Sequence, residues 1–182
     1  IPTWLWDVHF SGSKNGWVVG NNGTILNTKD GGKRWQKQKS GVLSVPLLGV
    51  SFVNARFGWI SGWNGIILHT RDGGVNWVRQ QSGTGAPLED IFFADAKNGW
   101  AVGRDGTILH TADGGQNWRH QKGHTKSLLL SVQFVSPLQG FIAGGSGTFL
   151  VTQNGGAVWE RRTLSSSSTI EGLSFSDAQN GW

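Results

Sequence analysis

Acidic side chains are the residues of this chain best suited to chemistry, because several of them recur inside one repeated turn. The turn reads Thr-x-Asp-Gly-Gly-x-x-Trp, and its polar position is held in successive copies by Asp30, Asp72, Asp113 and Asn154. A carboxylate repeated in this way suits catalysis, calcium binding or hydrogen bonding to its own turn. Asn154 favours the turn-forming role, since asparagine keeps the acceptor oxygen and loses the charge. One aspartate per turn also supplies too few oxygens for calcium, which takes about six to eight.

The glycines and the tryptophan of the same motif also predict a structural turn. Paired glycines permit the backbone angles of a tight hairpin, and the tryptophan that follows anchors the hairpin to a sheet. The tryptophans of the four copies are Trp35, Trp77, Trp118 and Trp159. An aromatic ring of this size buries about 150–250 Å². We therefore expect all four to pack between sheets and not to act as ligand platforms.

The remaining acidic residues give hydrolysis little support. They are Asp7, Glu89, Asp90, Asp95, Asp105, Glu160, Glu171 and Asp177. A glycosidase needs two carboxyl groups about 5–9.5 Å apart, but Asp7 and Asp90 share one repeated position, and Glu89 and Glu171 share another. The repeat therefore explains these pairs first. Sialidases employ a tyrosine nucleophile, and this sequence has no Tyr. We predict no catalytic residue and no enzyme activity.

Metal, cofactor and nucleic-acid chemistry find no support either. The sequence has no Cys, and its 5 His show no spacing typical of metal ligands. Its Gly-x-x-Gly turns join strands, whereas a dinucleotide site needs a glycine-rich turn that opens a helix. The net charge of +5 is spread along the chain without a Lys/Arg run, and no apolar stretch approaches the roughly 20 residues that span a bilayer. We predict no metal, no cofactor, no nucleic acid and no transmembrane segment.

The elements that carry the repeated turns recur with a period of 41–42 residues. The copies start at Leu5, Leu47, Leu88, Leu129 and Ile170. Each copy has an apolar strand of period two, a Gly-aromatic pair, a Gly-x-x-Gly turn, an aliphatic strand and a Trp-bearing strand. Four short strands in a period of about 40–45 residues are typical of a β-propeller blade. The 29 Gly and the absence of a long 3.6-residue apolar period also favour an all-β fold.

The predicted architecture is a single β-propeller domain over residues 1–182 with four-stranded antiparallel blades. Blades are expected at residues 5–46, 47–87, 88–128 and 129–169, with the start of a fifth at 170–182. A lone blade cannot bury its own apolar faces, so the blades must stack around an axis. Because this number of blades does not close a usual ring, we expect a fragment, truncated at its C-terminus, of a larger propeller, for which seven blades are common. An open propeller that closes by self-association is the alternative. The start at Ile1-Pro2, with no Met and no signal-peptide pattern, indicates a processed or cut end.

A longer pattern identifies the type of repeat. Gly-Trp-x-x-Gly-x-x-Gly-x-Ile-Leu-x-Thr-x-Asp-Gly-Gly-x-x-Trp stands at residues 16–35, 58–77 and 99–118. Its second half is the Asp-box, or BNR repeat, and the whole pattern resembles the photosystem II stability/assembly factor family. The resemblance covers essentially the whole chain. It implies a β-propeller, commonly seven-bladed, that acts as a non-enzymatic assembly chaperone outside the cytoplasm, in the periplasm, in the thylakoid lumen or as a secreted protein. Asp-boxes also occur in sialidases, other glycosidases and sorting receptors.

Variation between the copies marks the candidate partner-binding residues. Trp63 stands in a Gly-x-x-Gly turn whose counterparts hold small or polar residues, and an exposed Trp is a plausible contact anchor. Arg104, at the same place in the third turn, is a further candidate. Packing of Trp63 on the next blade is the alternative. A basic or ionisable side chain also recurs at one offset of the fourth strand, at Lys37, Arg79, His120 and Arg161, with Arg162 following. A repeated offset maps onto a ring, so these residues predict a cationic belt, or else an ordinary solvated surface.

Two classes of function follow from these residues. The first is a protein-binding scaffold or assembly factor whose partner is a membrane-complex subunit or an acidic segment. The second is a secreted Asp-box carbohydrate-active protein, either a glycosidase or a lectin that stacks a sugar on Trp63. The missing Tyr disfavours sialidase chemistry in the second class.

Overall fold

The structure is a computed structural model that describes residues 3–182. Residues 1 and 2, which the predicted domain includes, lie outside the described residues. The described chain forms four antiparallel sheets of four strands each, and no α-helix occurs between residues 3 and 182. The predicted all-β fold of four-stranded blades is confirmed.

Each sheet contains four consecutive strands of the chain, so each repeat folds onto itself. The first blade comprises β1 (Leu5–Ser11), β2 (Asn15–Gly20), β3 (Thr24–Thr28) and β4 (Gln36–Gln38). The second comprises β5 (Leu47–Phe52), β6 (Gly58–Gly62), β7 (Ile67–Thr70) and β8 (Val78–Gln80). The third comprises β9 (Leu88–Phe93), β10 (Gly99–Gly103), β11 (Ile108–Thr111) and β12 (Arg119–His120). The fourth comprises β13 (Leu129–Phe134), β14 (Gly140–Gly144), β15 (Phe149–Thr152) and β16 (Glu160–Arg161).

The first strands of the four blades line a common axis. β1, β5, β9 and β13 lie side by side in that order, and the fourth strand of each blade is the outermost. After β16 the chain returns to the axis, where Phe175 forms an isolated bridge with Gly181. This radial arrangement of sheets is that of a β-propeller.

The core consists of layers between neighbouring blades and not of one central cluster. Each layer contains a ring stack: the aromatic residue of the Gly-aromatic pair lies flat on the phenylalanine that ends the next blade's first strand. The centroid distances are 3.5 Å for Trp17–Phe52, 3.6 Å for Trp59–Phe93, 3.6 Å for Trp100–Phe134 and 3.8 Å for Phe141–Phe175. Glycine precedes each of these aromatics because a side chain there would overlap the phenylalanine of its own blade. A Cβ on Gly16 would lie 2.6 Å from Phe10 Cε1.

The Gly-x-x-Gly turns place one non-glycine residue of each blade, and the glycine that follows it, in the left-handed backbone region. In the first three blades they form single 3-10 turns, at Asn21–Gly23, Trp63–Gly65 and Arg104–Gly106. Asn22, Asn64 and Asp105 have a φ of 58°. Asn and Asp tolerate this conformation better than other non-glycine residues. These turns join the second and third strands, so they lie at the end of each blade opposite the Asp-box hairpins.

Candidate functional site

The Asp-box side chains bond to their own hairpins. Backbone N–H groups four residues ahead donate to Asp30 Oδ1, Asp72 Oδ1, Asp113 Oδ1 and Asn154 Oδ1, each over 2.9 Å. The preceding threonine hydroxyl also donates to the same oxygen, as Thr111 does to Asp113 over 2.8 Å. In the third blade Asn117 donates through its side chain and its backbone, and these bonds lower the pKa of Asp113 to about 2. In all four copies the Oδ1 atom therefore bonds to its own turn, which is the local role that the sequence predicts.

The Asp-box tryptophans pack at the blade interfaces but are not the deepest residues there. Trp35, Trp77 and Trp118 are half-buried, whereas Trp159 is 3% exposed. Trp77, Trp118 and Trp159 meet the phenylalanine of their own blade's first strand edge-on, at centroid distances of 5.8–5.9 Å. The fully buried rings are instead Trp17, Trp59 and Trp100 of the Gly-aromatic pairs. The fixed offset of these pairs in every copy is a sequence signal for such a core position.

Glutamines in or just after the outer strands bond to the Asp-box of the next blade. The side-chain amide of Gln80 donates to the Gly114 carbonyl over 2.8 Å, and its oxygen accepts from Trp118 Nε1 over 3.3 Å. Gln121 makes the same pair of bonds to Gly155 and Trp159, over 3.2 and 3.1 Å. The Asp-box hairpins are therefore part of the seam between blades as well as turns.

A second group of carboxyl groups lies at the axis. Asp7 and Asp90 border a cavity of about 460 Å³ that the first strands surround. The Val50 N–H donates to Asp7 Oδ2 over 2.8 Å, and the Val132 N–H donates to Asp90 Oδ2 over 2.8 Å. Each aspartate thus joins the first strand of its own blade to the first strand of the next.

Burial raises the pKa of both axial aspartates. Loss of hydration, with a smaller contribution from the neighbouring charge of Asp7, raises the pKa of Asp90 to about 7, although the bonds from Val132 and Ile91 oppose the rise. Burial likewise raises the pKa of Asp7, and it lowers the pKa of the adjacent His9. A carboxyl group that carries its proton near neutrality is suited to a buried structural joint or to acid catalysis.

The axial cavity contains the other repeated acidic pair as well. Glu89 and Glu171 line it, together with Trp6, His9 and Gln133. Their equivalent offsets are evident in the sequence, but the spacing alone does not show that both side chains border the axial cavity. Among residues 3–182 no group of three or more His, Asp or Glu side chains is arranged to hold a metal ion.

Trp63 and Arg104 come together on the face that carries the Gly-x-x-Gly turns. The Arg104 guanidinium lies 5.8 Å from the Trp63 ring centre, and its Nε donates to Glu89 Oε1 over 3.3 Å. The Trp63 side chain remains 43% exposed. The ring therefore contacts the third blade through Arg104 and still presents a surface to solvent. Its role as a contact anchor stays a prediction.

Two further tryptophans extend this exposed aromatic face. Trp4 and Trp6 have ring centres 5.9 Å apart and are 68% and 50% exposed. Trp6 Nε1 donates to Asn21 Oδ1 in the first blade's Gly-x-x-Gly turn, over 2.8 Å. Trp6 also borders the axial cavity, so the aromatic face adjoins the mouth of that cavity. Trp4 precedes the first copy of the repeat and Trp6 is the second residue of β1, and neither was predicted from the sequence as a binding residue.

The basic residues of the fourth strands occupy equivalent places on the periphery. Lys37, Arg79, His120 and Arg161 are exposed and pair in register with Leu26, Leu68, Leu109 and Leu150. Arg162 forms an exposed ion pair with Glu160 over 3.1 Å. The outer strands therefore carry positive charge, while the axial cavity carries carboxyl groups.

One blade face is apolar and open to solvent. Leu5, Val8 and Phe10 of β1 are 51%, 54% and 43% exposed. Their equivalents in the second blade, Leu47 and Val50, are buried against the first blade.

A family model described as photosynthesis system II assembly factor YCF48 matches residues 1–89, 81–127 and 118–182. A structure of YCF48 bound to a D1 peptide is 24% identical, with a TM-score of 0.75 over 95% of this chain and 57% of that chain. YCF48 from Cyanidioschyzon merolae is 25% identical, with a TM-score of 0.74 over 96% of this chain and 62% of that one. This chain thus spans less than two thirds of either.

Glycoside hydrolases share the fold at lower identity. An ancestral GH74 enzyme is 14% identical, with a TM-score of 0.72 over 88% of this chain and 24% of that chain. This likeness concerns the fold alone. A search of curated proteins finds no match. No helix within residues 3–182 has the length and apolar character needed to cross a membrane.

Proposed function

The chain belongs to the photosynthesis system II assembly factor YCF48 family, and on that premise we propose that it is a non-enzymatic scaffold that binds a peptide segment of a membrane-complex subunit. The relative whose structure contains a D1 peptide supports a peptide as the ligand. We place the binding event outside the cytoplasm, in the periplasm, in the thylakoid lumen or after secretion, which is the location that the sequence resemblance implies.

Trp63 is the residue that carries this proposal. Trp63 is 43% exposed, and the Arg104 guanidinium lies over its ring. Tryptophan and arginine are the residue types in which interface hot spots are enriched. Arg104 is itself oriented by Glu89, so both partners of the contact are pre-positioned before a ligand arrives. Trp4 and Trp6 enlarge the apolar area on the same face.

Positive charge favours an acidic segment as the bound peptide. The net charge is +5, and the outer strand of each blade carries an exposed basic or ionisable residue at the position of Lys37. Such a distribution attracts acidic chains over distances of about a Debye length, roughly 8 Å at physiological salt. The aromatic face then supplies the apolar contacts that hold the segment.

The axial carboxyl groups fit a scaffold better than a glycosidase. Asp7 and Asp90 each accept two backbone N–H bonds, from their own following residue and from the next blade. A general acid or nucleophile has to present its oxygen to the substrate, whereas these oxygens are engaged in joining strands. Carbohydrate binding on Trp63 remains the second candidate, because an exposed indole ring can stack on a sugar.

A peptide-binding experiment tests the proposal. Fluorescence anisotropy with a labelled D1 peptide should show binding that weakens about tenfold or more in Trp63→Ala, the size expected for loss of a hot-spot anchor. Arg104→Ala should weaken binding less, because it removes the cation and leaves the ring.

Val75→Ala is the matched control, since Val75 is 71% exposed on the Asp-box hairpin at the other end of the same blade. Its affinity should equal that of the native chain. Binding that is indifferent to Trp63→Ala would refute this surface, and a glycan array in which Trp63→Ala abolishes binding would favour the carbohydrate alternative.

A further inference from the structure

A groove between the second and third blades has a basic side chain on a rigid support. The groove has a volume of about 540 Å³, and its lining includes His69, Arg71, Asn76, Val78, Arg79 and Gln116. It lies on the Asp-box side of the blades, away from the aromatic face of Trp63. Its volume is within the range of about 300–1,000 Å³ that is usual for ligand sites.

His69 fixes one end of the groove. It is 8% exposed, and its ring stacks on Trp59 at a centroid distance of 4.5 Å. Its Nδ1 lies 3.0 Å from the Gly58 carbonyl oxygen, which can only accept, so Nδ1 carries the proton and Nε2 is an acceptor. Burial lowers the pKa of His69, which favours this neutral form.

Arg71 is held by that histidine and not by a carboxylate. Its Nε donates to His69 Nε2 over 3.3 Å. The ion pairs found among residues 3–182 are Arg104–Glu89 and Arg162–Glu160, so Arg71 takes part in neither. This bond through Nε orients the Arg71 guanidinium. Its two terminal amino groups form no hydrogen bond within the described chain, so they are available to a planar oxyanion.

Asp72 borders the same groove, but its oxygens serve its own hairpin. Oδ1 accepts from Thr70 and from the Asn76 N–H, and Oδ2 accepts from the Asn76 side chain over 2.8 Å. These bonds lower the pKa of Asp72, so it stays charged. A fixed negative charge beside Arg71 disfavours a doubly charged phosphate more than a singly charged carboxylate.

We propose that this groove is a second peptide-binding site, in which Arg71 receives the carboxylate of an acidic side chain. Val78 is 65% exposed and provides an apolar wall for the methylene groups of a glutamate. The site is independent of the aromatic face, so either can fail without the other.

The other blades supply internal comparisons. In the third blade His110 stacks on Trp100 as His69 does on Trp59, but Ala112 stands at the position of Arg71. In the first blade the equivalents are Asn27 and Lys29, and the Asn27 amide donates to the Gly16 carbonyl over 3.0 Å. Only the second blade therefore combines the buried imidazole with an arginine.

The test is a titration of the whole chain with two short probes, followed through the backbone and arginine Nε signals in ¹H–¹⁵N NMR spectra. The probes are acetyl-Glu-Gly-Glu-amide and its neutral analogue acetyl-Gln-Gly-Gln-amide. The acidic probe should shift the Arg71 Nε signal and the amides of Val78 and Gln116, and the neutral probe should not. Arg71→Ala should weaken the acidic probe about tenfold, the effect of losing one charge-assisted hydrogen-bonded pair.

Two variants distinguish specific binding at Arg71 from general attraction of the acidic probe to the positively charged surface. Arg71→Lys keeps the charge but loses the planar fork, so it should bind the probe less tightly than the native chain. Lys29→Ala removes the equivalent charge of the first blade and should change the affinity less than twofold, a bound set by the small energy of exposed charges. Equal losses in Arg71→Ala and Lys29→Ala would overturn the site. So would equal binding of the neutral probe, or tighter binding of inorganic phosphate than of the acidic probe.

Discussion

Aspartates occupy two regions of this propeller, and the two environments drive their acidity in opposite directions. In the Asp-box hairpins, hydrogen bonds from the turn lower the pKa of Asp113 to about 2. At the axis, burial raises the pKa of Asp90 to about 7. The hairpin aspartate is bonded within eight residues of chain, whereas the axial aspartate accepts an N–H from the next blade. One residue type thus serves a local turn in one region and a joint between repeats in the other.

The comparison shows that the ionised carboxylate is favoured in the hairpin, where the turn supplies several hydrogen-bond donors beside solvent, and is disfavoured at the buried axis. Asn154 replaces aspartate in the fourth Asp-box and keeps the bond to the backbone over 2.9 Å. At the axis the equivalents of Asp7 and Asp90 are Gly49, Ser131 and Gly172. Ser131 Oγ accepts the Leu173 N–H over 3.3 Å, so a neutral oxygen can also join two blades there.

The largest expected effect on the free energy of unfolding comes from removing the Asp90 carboxyl group, which joins the third and fourth blades at the axis. Asp90→Ala leaves the Ile91 and Val132 N–H groups without their acceptor, and a buried unpaired donor costs about 1–3 kcal/mol. We expect the free energy of unfolding in urea at pH 5.5 to fall by about 2–4 kcal/mol. Asp90→Asn should recover most of the loss, because it restores an acceptor oxygen. A fall of under about 0.5 kcal/mol in Asp90→Ala would show that the joint is dispensable.

A change of pH alone should have a smaller effect on the free energy of unfolding, and the sign of that effect differs between the axis and the Asp-box hairpins. The folded pKa of Asp90, about 7, exceeds the unfolded value of about 3.9. Its stabilisation is therefore complete below pH 4 and is lost as the pH rises through 7. From pH 6 to 8 the free energy of unfolding should fall by about 1 kcal/mol. Asp90→Asn should flatten this fall, and an unchanged slope in that variant would assign the effect to another group.

The Asp-box carboxylates should respond at the opposite end of the pH scale. The folded pKa of Asp113 is lowered, so its stabilisation is present above pH 4 and is lost as the pH falls towards 2. Thermal unfolding followed from pH 4 to 2 should show a loss that is reduced in Asp113→Asn. An equal loss in that variant would mean that other carboxyl groups dominate acid unfolding.

The smallest expected effects are those of neutral substitutions in the hairpin. Asp113→Ala should lower the free energy of unfolding by about 0.5–1 kcal/mol, since the bonds it removes lie beside solvent. Asp113→Asn should lie within about 0.5 kcal/mol of the native chain, as the natural Asn154 indicates. Urea unfolding at pH 7 measures both. A larger loss in Asp113→Asn than in Asp90→Asn would reverse the contrast between hairpin and axis.

The sequence by itself determined the repeat, the all-β blades and the family. Each of these depends on contiguous residues: turn glycines, strand alternation and the Asp-box act within about 20 residues, so their spacing is readable along the chain. The local role of Asp30 and its equivalents could be predicted for the same reason. The family resemblance proposed from residues 16–35 and their copies is confirmed by the match along the chain.

Only the tertiary structure decided which equivalent positions meet. Asp7 and Asp90 belong to different blades, and their burial depends on how the first strands converge at the axis. The support of Arg71 by His69, and that of Arg104 by Glu89, likewise required side-chain directions that spacing does not give. Desolvation and packing are set by all the groups around an atom, most of which are distant in sequence, so they can be read only from the folded chain.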